Sequence, residues 1–175
     1  MGDEMILEKG SFELDLKLIK LKADLSDIDR QCAWELYTEL STRRSVTGKL
    51  SDPKCKDFGG EIYVESLDSL YRFFQESRSI MRKFPVGRLS LDQQNHLGAL
   101  VFRMMQDVLR PFLEKWHGQF RHWWDNESDN NLPPFARQAT FPKHEDFLRD
   151  WTNLRWMMRR VQKRLVEVYK LVDVA

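Results

Sequence analysis

A chain of 175 residues with 42% apolar and 31% charged side chains, and only 8 Gly and 6 Pro, has the make-up of one folded domain. It is large enough to bury roughly two-thirds of its extended surface, and its composition excludes a disordered or fibrous chain. The 28 basic and 27 acidic residues nearly cancel, so global charge gives no reason to expect nucleic acid, and any such tendency has to be local.

The opening MGDEMILEKGSFELD has acids at Asp3 and Glu4 and no basic lead into an apolar run, so no secretory signal is expected. No apolar window approaches the roughly eighteen residues of a membrane helix. Ile6 stands where a myristoylation signal has Ser or Thr. The two cysteines, Cys32 and Cys55, lack the close spacing of a disulfide framework or a metal clamp. Cys32 falls in an apolar helical pattern and is read as buried; Cys55, in SDPKCKDFGG, is read as exposed. A reducing compartment fits both thiols, and a cytoplasmic location is the expectation.

Along the chain, residues 1–24 form a short N-terminal arm. Phe12, Leu14, Leu16 and Leu18 alternate in it, which suits an extended segment, and a helical or irregular arm is the competing reading. Ser26 and Asp29, with Asp27, resemble a helix start. Leu25, Ile28, Cys32, Leu36 and Leu40 then follow at steps of three and four, predicting a helix over about 26–45. Trp34 lies off that stripe, either beneath the arm or exposed. Gly48, Pro53, Gly59 and Gly60 mark 46–60 as a long surface loop.

A second helix is predicted over about 62–84, with Ser66, Leu70, Phe73, Ser77, Ile80 and Phe84 on one side, ended by Pro85 and Gly87. Ser90 and Gln93 fit a capping box. From there Leu97, Val101, Met104, Val108, Phe112, Trp116 and Phe120 define a long third helix over about 90–123. Pro111 removes an amide and crowds the preceding turn, so a bend is expected near 107–111. Residues 125–142 hold acids, asparagines and three prolines without a period and read as a long loop. The last helix, about 143–172, buries Phe147, Trp151, Leu154, Met158, Val161, Leu165, Val168 and Val172. Four apolar stripes most simply close into an all-α, antiparallel four-helix bundle forming a single domain.

Two surfaces stand out. Opposite the buried side of the third helix, Arg110, His117 and Arg121 are candidate contacts for an anion or a partner's carboxylate, with Glu114 among them. Trp116 and Trp123 are expected to cap the core. In RDWTNLRWMMRRVQKRLVEVYK, seven basic residues face two acids, and Trp156 projects among Arg149, Arg159, Arg160 and Lys163. Three accounts compete for that tryptophan. It lies under the 125–142 loop, whose Asp125, Glu127 and Asp129 meet the arginines; or it docks an acidic partner or a second copy; or it stacks on a base while the arginines hold phosphates.

No zinc finger, RNP sequence or GXXG loop accompanies that face. His117 and His122 are five apart and no two-histidine zinc motif exists, so no metal is expected. Gly59-Gly60 lacks the lysine and hydroxyl of a phosphate loop. Glu114 to His117 is a single instance of a pair that a di-iron bundle needs twice. No motif implies a cofactor, and no catalytic residue is assigned.

At WELYTEL (34–40), SLDSLYRFFQESRSIMRKF (66–84) and VLRPFLEKWH (108–117) the chain resembles an uncharacterised group of bacterial all-helical proteins with no assigned activity. The resemblance implies a bacterial cytosolic bundle working beside partners as an accessory component of a larger, defence-related system. The expected function is therefore a non-enzymatic interaction or regulatory module, a homodimer being one form of it. It acts through Arg149, Trp156, Arg159, Arg160 and Lys163 on a protein with an acidic surface or on a second copy. Nucleic-acid or nucleotide binding by the same face is one alternative, and a cryptic metal-dependent enzyme is the other.

Overall fold

A computed structural model describes residues 27–83 and 97–172. The N-terminal arm, Phe84, Pro85, Gly87 and the Ser90–Gln93 capping box lie outside the described residues. Within them every regular element is helical: α1 (Asp27–Thr42), α2 (Arg44–Thr47), α3 (Tyr63–Met81), α4 (Leu97–Arg103), a π-helical segment (Met104–Leu109), α5 (Arg110–Asn126), α6 (Pro134–Ala139) and α7 (His144–Tyr169). No helix among them is long and apolar enough to cross a membrane.

The helix expected over 26–45 is two helices. Arg43 is extended (φ −116°, ψ 102°), and the Thr47 hydroxyl donates to the Leu40 carbonyl at 3.1 Å. A side chain thus satisfies one of the carbonyls that the end of α1 leaves open. The expected stripe is buried at Cys32, Leu36 and Leu40, while Ile28 and Trp34 remain 52% and 41% exposed.

In α3 the buried residues are Tyr63, Leu67, Leu70, Phe73, Ser77 and Ile80, close to the predicted side. Directly before Pro111, where the sequence predicts a bend, the chain has a π-helical segment. Proline has no N–H to give and its ring presses on the carbonyl four residues back. Widening the turn moves that carbonyl away, and the Arg110 amide accordingly bonds Met105, five residues back.

The loop expected over 125–142 contains α6, which starts at Pro134, where a missing amide costs nothing. Its Gln138 is buried. The side-chain amide donates to the Glu61 carbonyl (2.8 Å) and its oxygen accepts the Tyr63 amide (2.9 Å). Ile62 offers no side-chain cap to α3, so a residue 75 positions later fills that role.

α7 is the element the others surround, packing on α1, α2 and α5. Residues Asp150 to Arg155 are all buried, as are Met157 and Met158, which requires neighbours on every side of that stretch. At its start Phe147 contacts the rings of Tyr63, Phe112, Trp116, Phe120, Phe141 and Trp151 at centroid distances of 5.1 to 6.3 Å. Such pairs add about 0.5–1.5 kcal/mol each beyond the area they bury. Trp116 and Trp123 belong to this core, being 1% and 6% exposed.

Candidate interaction surface on the last helix

Two of the basic residues on α7 are consumed inside the chain. Arg155 has no exposed surface and lies 2.6 Å from Glu61, itself 6% exposed. Its guanidinium sits 3.9 Å above the Phe58 ring and 5.2 Å from that of Trp151. Burial pushes the Arg155 guanidinium below its ordinary value, and the Glu61 carboxylate works against that shift. The Trp151 indole donates to the Ser45 carbonyl at 2.7 Å.

One turn later Arg159 donates to the carbonyls of Thr47 (2.7 Å), Asp52 (2.5 Å) and Lys49. Arg159 therefore leaves the expected outward face. It gathers the carbonyls of the 43–61 segment, which folds over α7 as a strap. The strap also encloses Cys55, which is fully buried rather than exposed. Its sulfur lies 4.0 Å from the Thr47 carbonyl, and burial raises the thiol's pKa. Gly48 lets the strap turn over α7: its φ is +72°, a backbone conformation that L side chains rarely adopt.

Four of the five expected contact residues stay on the outer side of α7. Arg149, Arg160 and Lys163 are exposed and Trp156 is half-buried at the margin of the core. Side chains on a helix lean toward its N-terminus. Trp156 thus inclines toward Thr152 and Asn153, both buried, and Arg160 lies over the indole at 4.9 Å. Arg149 pairs with Asp146 (2.6 Å) and Arg164 with Glu167 (3.2 Å). Arg160 and Lys163 have no carboxylate partner among the described residues. The outward stripe is then an indole topped by one cation, with a second cation a turn away.

The acids of the 125–142 segment do not meet these arginines among the described residues. Glu127 pairs with His122 at 3.3 Å, and Asp129 accepts the Asn131 amide at 2.9 Å. The segment instead turns Arg137 inward, 3.8 Å above the Trp124 ring, where it donates to the Trp124 carbonyl. Phe141 is buried against Trp116, Phe120 and Trp123.

The second expected surface is divided. His117 (3.1 Å) and Arg121 (2.6 Å) converge on Asp68 of α3, and His117 stacks on Tyr71 at 5.5 Å. Partial burial alone would raise the Asp68 carboxyl, but hydrogen bonds from Arg121 and His117 outweigh it and hold its pKa low. Arg110 turns away to Gln106 and Glu114, both at 3.0 Å. His117 and Arg121 thus tie α5 to α3, Arg110 bonds along the α4–α5 rod, and the three do not form one anion site.

Sequence reading missed the Arg155–Glu61 pair, although a signal existed. Arg155 stands four residues after Trp151 and three before Met158, within the buried line, where only an internal partner can hold a charge. Asp150 is similar: 1% exposed, it accepts hydrogen bonds from the Trp116 indole (2.9 Å) and Lys115 (2.7 Å). Among the described residues no group of three or more His, Cys, Asp or Glu is placed to hold a metal ion. Compared with protein-family models, curated proteins and solved structures, the chain has no match.

Proposed function

We propose that this chain is a non-enzymatic interaction module that uses the outer stripe of α7, centred on Trp156, Arg160 and Lys163, to hold an acidic protein surface. The observation that carries the reading is the Arg160–Trp156 stack at 4.9 Å beside Lys163. Tryptophan and arginine lose much binding energy when truncated at an interface, and cations without a carboxylate partner among the described residues select carboxylates on whatever docks. The arrangement we attach to this role is an antiparallel four-helix bundle of α1, α3, the α4–α5 rod and α7, in a bacterial cytoplasmic system with further components. Pairing of Asp68 with His117 and Arg121, and of Tyr63 with Phe120, supports opposed directions for α3 and α5.

Affinity capture from the source cells tests it, with and without nuclease, using wild type beside a Trp156→Ala, Arg160→Ala variant. Protein partners kept through nuclease by wild type and lost by a normally helical variant are the expected result. Recovery identical for both chains rejects the stripe. Nuclease-released nucleic acid lost with Arg160 and Lys163 substitutions moves the reading to phosphate contacts. That second reading is favoured by two cations with no carboxylate partner among the described residues and opposed by Arg160, which already covers the indole face a base would need.

A further inference from the structure

We infer that the acidic surface seated on the α7 stripe is that of a second copy of this chain, which offers its own 125–135 segment. This rests on the reading of the stripe as an interaction surface. From Asp125 to Ala136 the sequence has three carboxylates and no basic residue. Asp125, Glu127 and Asp129 are all exposed, and among the described residues only Glu127 has a basic side chain within ion-pair distance, the imidazole of His122. Six residues past Asp129, Phe135 stands 54% exposed. It is not a loose tip. Gln138 and Arg137, on the same short helix, are tied to the start of α3 and to the Trp124 carbonyl near the end of α5, so the ring is displayed in a fixed position and loses little freedom on docking.

The same chain therefore carries an acidic surface with an exposed phenyl ring and a basic surface with a half-exposed indole. Within one molecule they stand at different ends of α7. Phe120 contacts Phe141 and Phe147, which sets the end of α5 and the segment after it near the start of α7. Arg160 is ~24 Å further along α7 from His144, at ~1.5 Å per residue. The complementary charges are thus left to meet between copies. A two-fold dimer exchanging both contacts, or a head-to-tail chain using one contact per junction, satisfies the pairing.

Two variants of the purified full-length chain separate this from a plain acidic partner. One removes the basic side (Arg160→Ala, Lys163→Ala) and the other the acidic side (Asp125→Asn, Glu127→Gln, Asp129→Asn), the amides keeping the Asp129 turn bond. In sedimentation velocity at low salt, the wild-type mass is expected to rise above one chain with concentration. It should return to one chain in ~1 M salt, where the screening length is ~3 Å. Each variant alone is expected to stay at one-chain mass. Their equimolar mixture has a single intact acidic–basic contact and is expected to form a 1:1 pair. Phe135→Ala weakens wild-type assembly without changing helical content. A wild type fixed at one-chain mass, a variant that assembles alone, or a mixture that stays monomeric overturns the inference. Stripe-dependent capture of a different protein would leave the interaction reading standing in that case; loss of both results would end both.

Discussion

Arg155 brings a positive charge to a place with no exposed surface, and Glu61 makes that tolerable. Breaking a buried pair by removing one partner leaves the other charge stranded, at about 3–5 kcal/mol. Arg155→Met is therefore expected to lower the unfolding free energy from urea titration by that much, and adding Glu61→Gln should recover part of it. A double variant as unstable as the single one would show that the bonds from Arg155 to the Ser45 and Asp57 carbonyls matter more than the pair. His144 makes a different case. Burial lowers its pKa, while the ring stacks on Tyr63 at 5.8 Å. The unfolded chain then takes up the proton first as pH falls below about 6.5, so stability drops on acidification from there to the folded-state value. The pH dependence of the thermal midpoint over that window should be shallower in His144→Gln.

The strap over 43–61 and the cap supplied by α6 hold the helices in register. Gly48→Ala forces an L side chain into a positive φ with extended ψ (72°, −168°), expected to cost about 1–3 kcal/mol by chemical denaturation. Gln138→Leu removes both bonds to the start of α3 while keeping volume. It should cost about 1–3 kcal/mol and speed hydrogen exchange at the Tyr63 amide. The long helices were legible because eight or more residues of apolar period separate a helix from a loop. Leu36, Leu40, Phe73, Phe112, Trp116, Phe147 and Leu165 are buried where that period put them. α2 and α6 were not legible, since four and six residues are too short to show a period. Cys55 was misread for a related reason. Its burial depends on Arg159 drawing in carbonyls from a segment whose own sequence reads as loop.

At the scale of the molecule, α7 is the shared wall of the fold. Because its middle is enclosed by α1, α2 and α5, loss of any one exposes its aromatic and methionine side chains. Far-UV dichroism and tryptophan fluorescence are expected to report one coincident unfolding transition, and two separated transitions would mean that α3 and α5 hold together without α7. The candidate stripe was legible as a basic face with a misplaced tryptophan. Which of its arginines face outward was not, since that depends on where a distant loop leaves its carbonyls. The widened turn at Met104–Leu109 holds an additional residue relative to an α turn. Deleting one residue there together with Pro111→Ala, which removes the ring that the wide turn accommodates, lets the rod rewind as plain α-helix while Val101 and Phe112 keep facing inward. The same deletion within α7 would rotate everything beyond it by about 100°, carrying Leu165 toward water. A one-residue loss is thus absorbed where α4 meets α5, once the proline is gone, and is not absorbed inside α7.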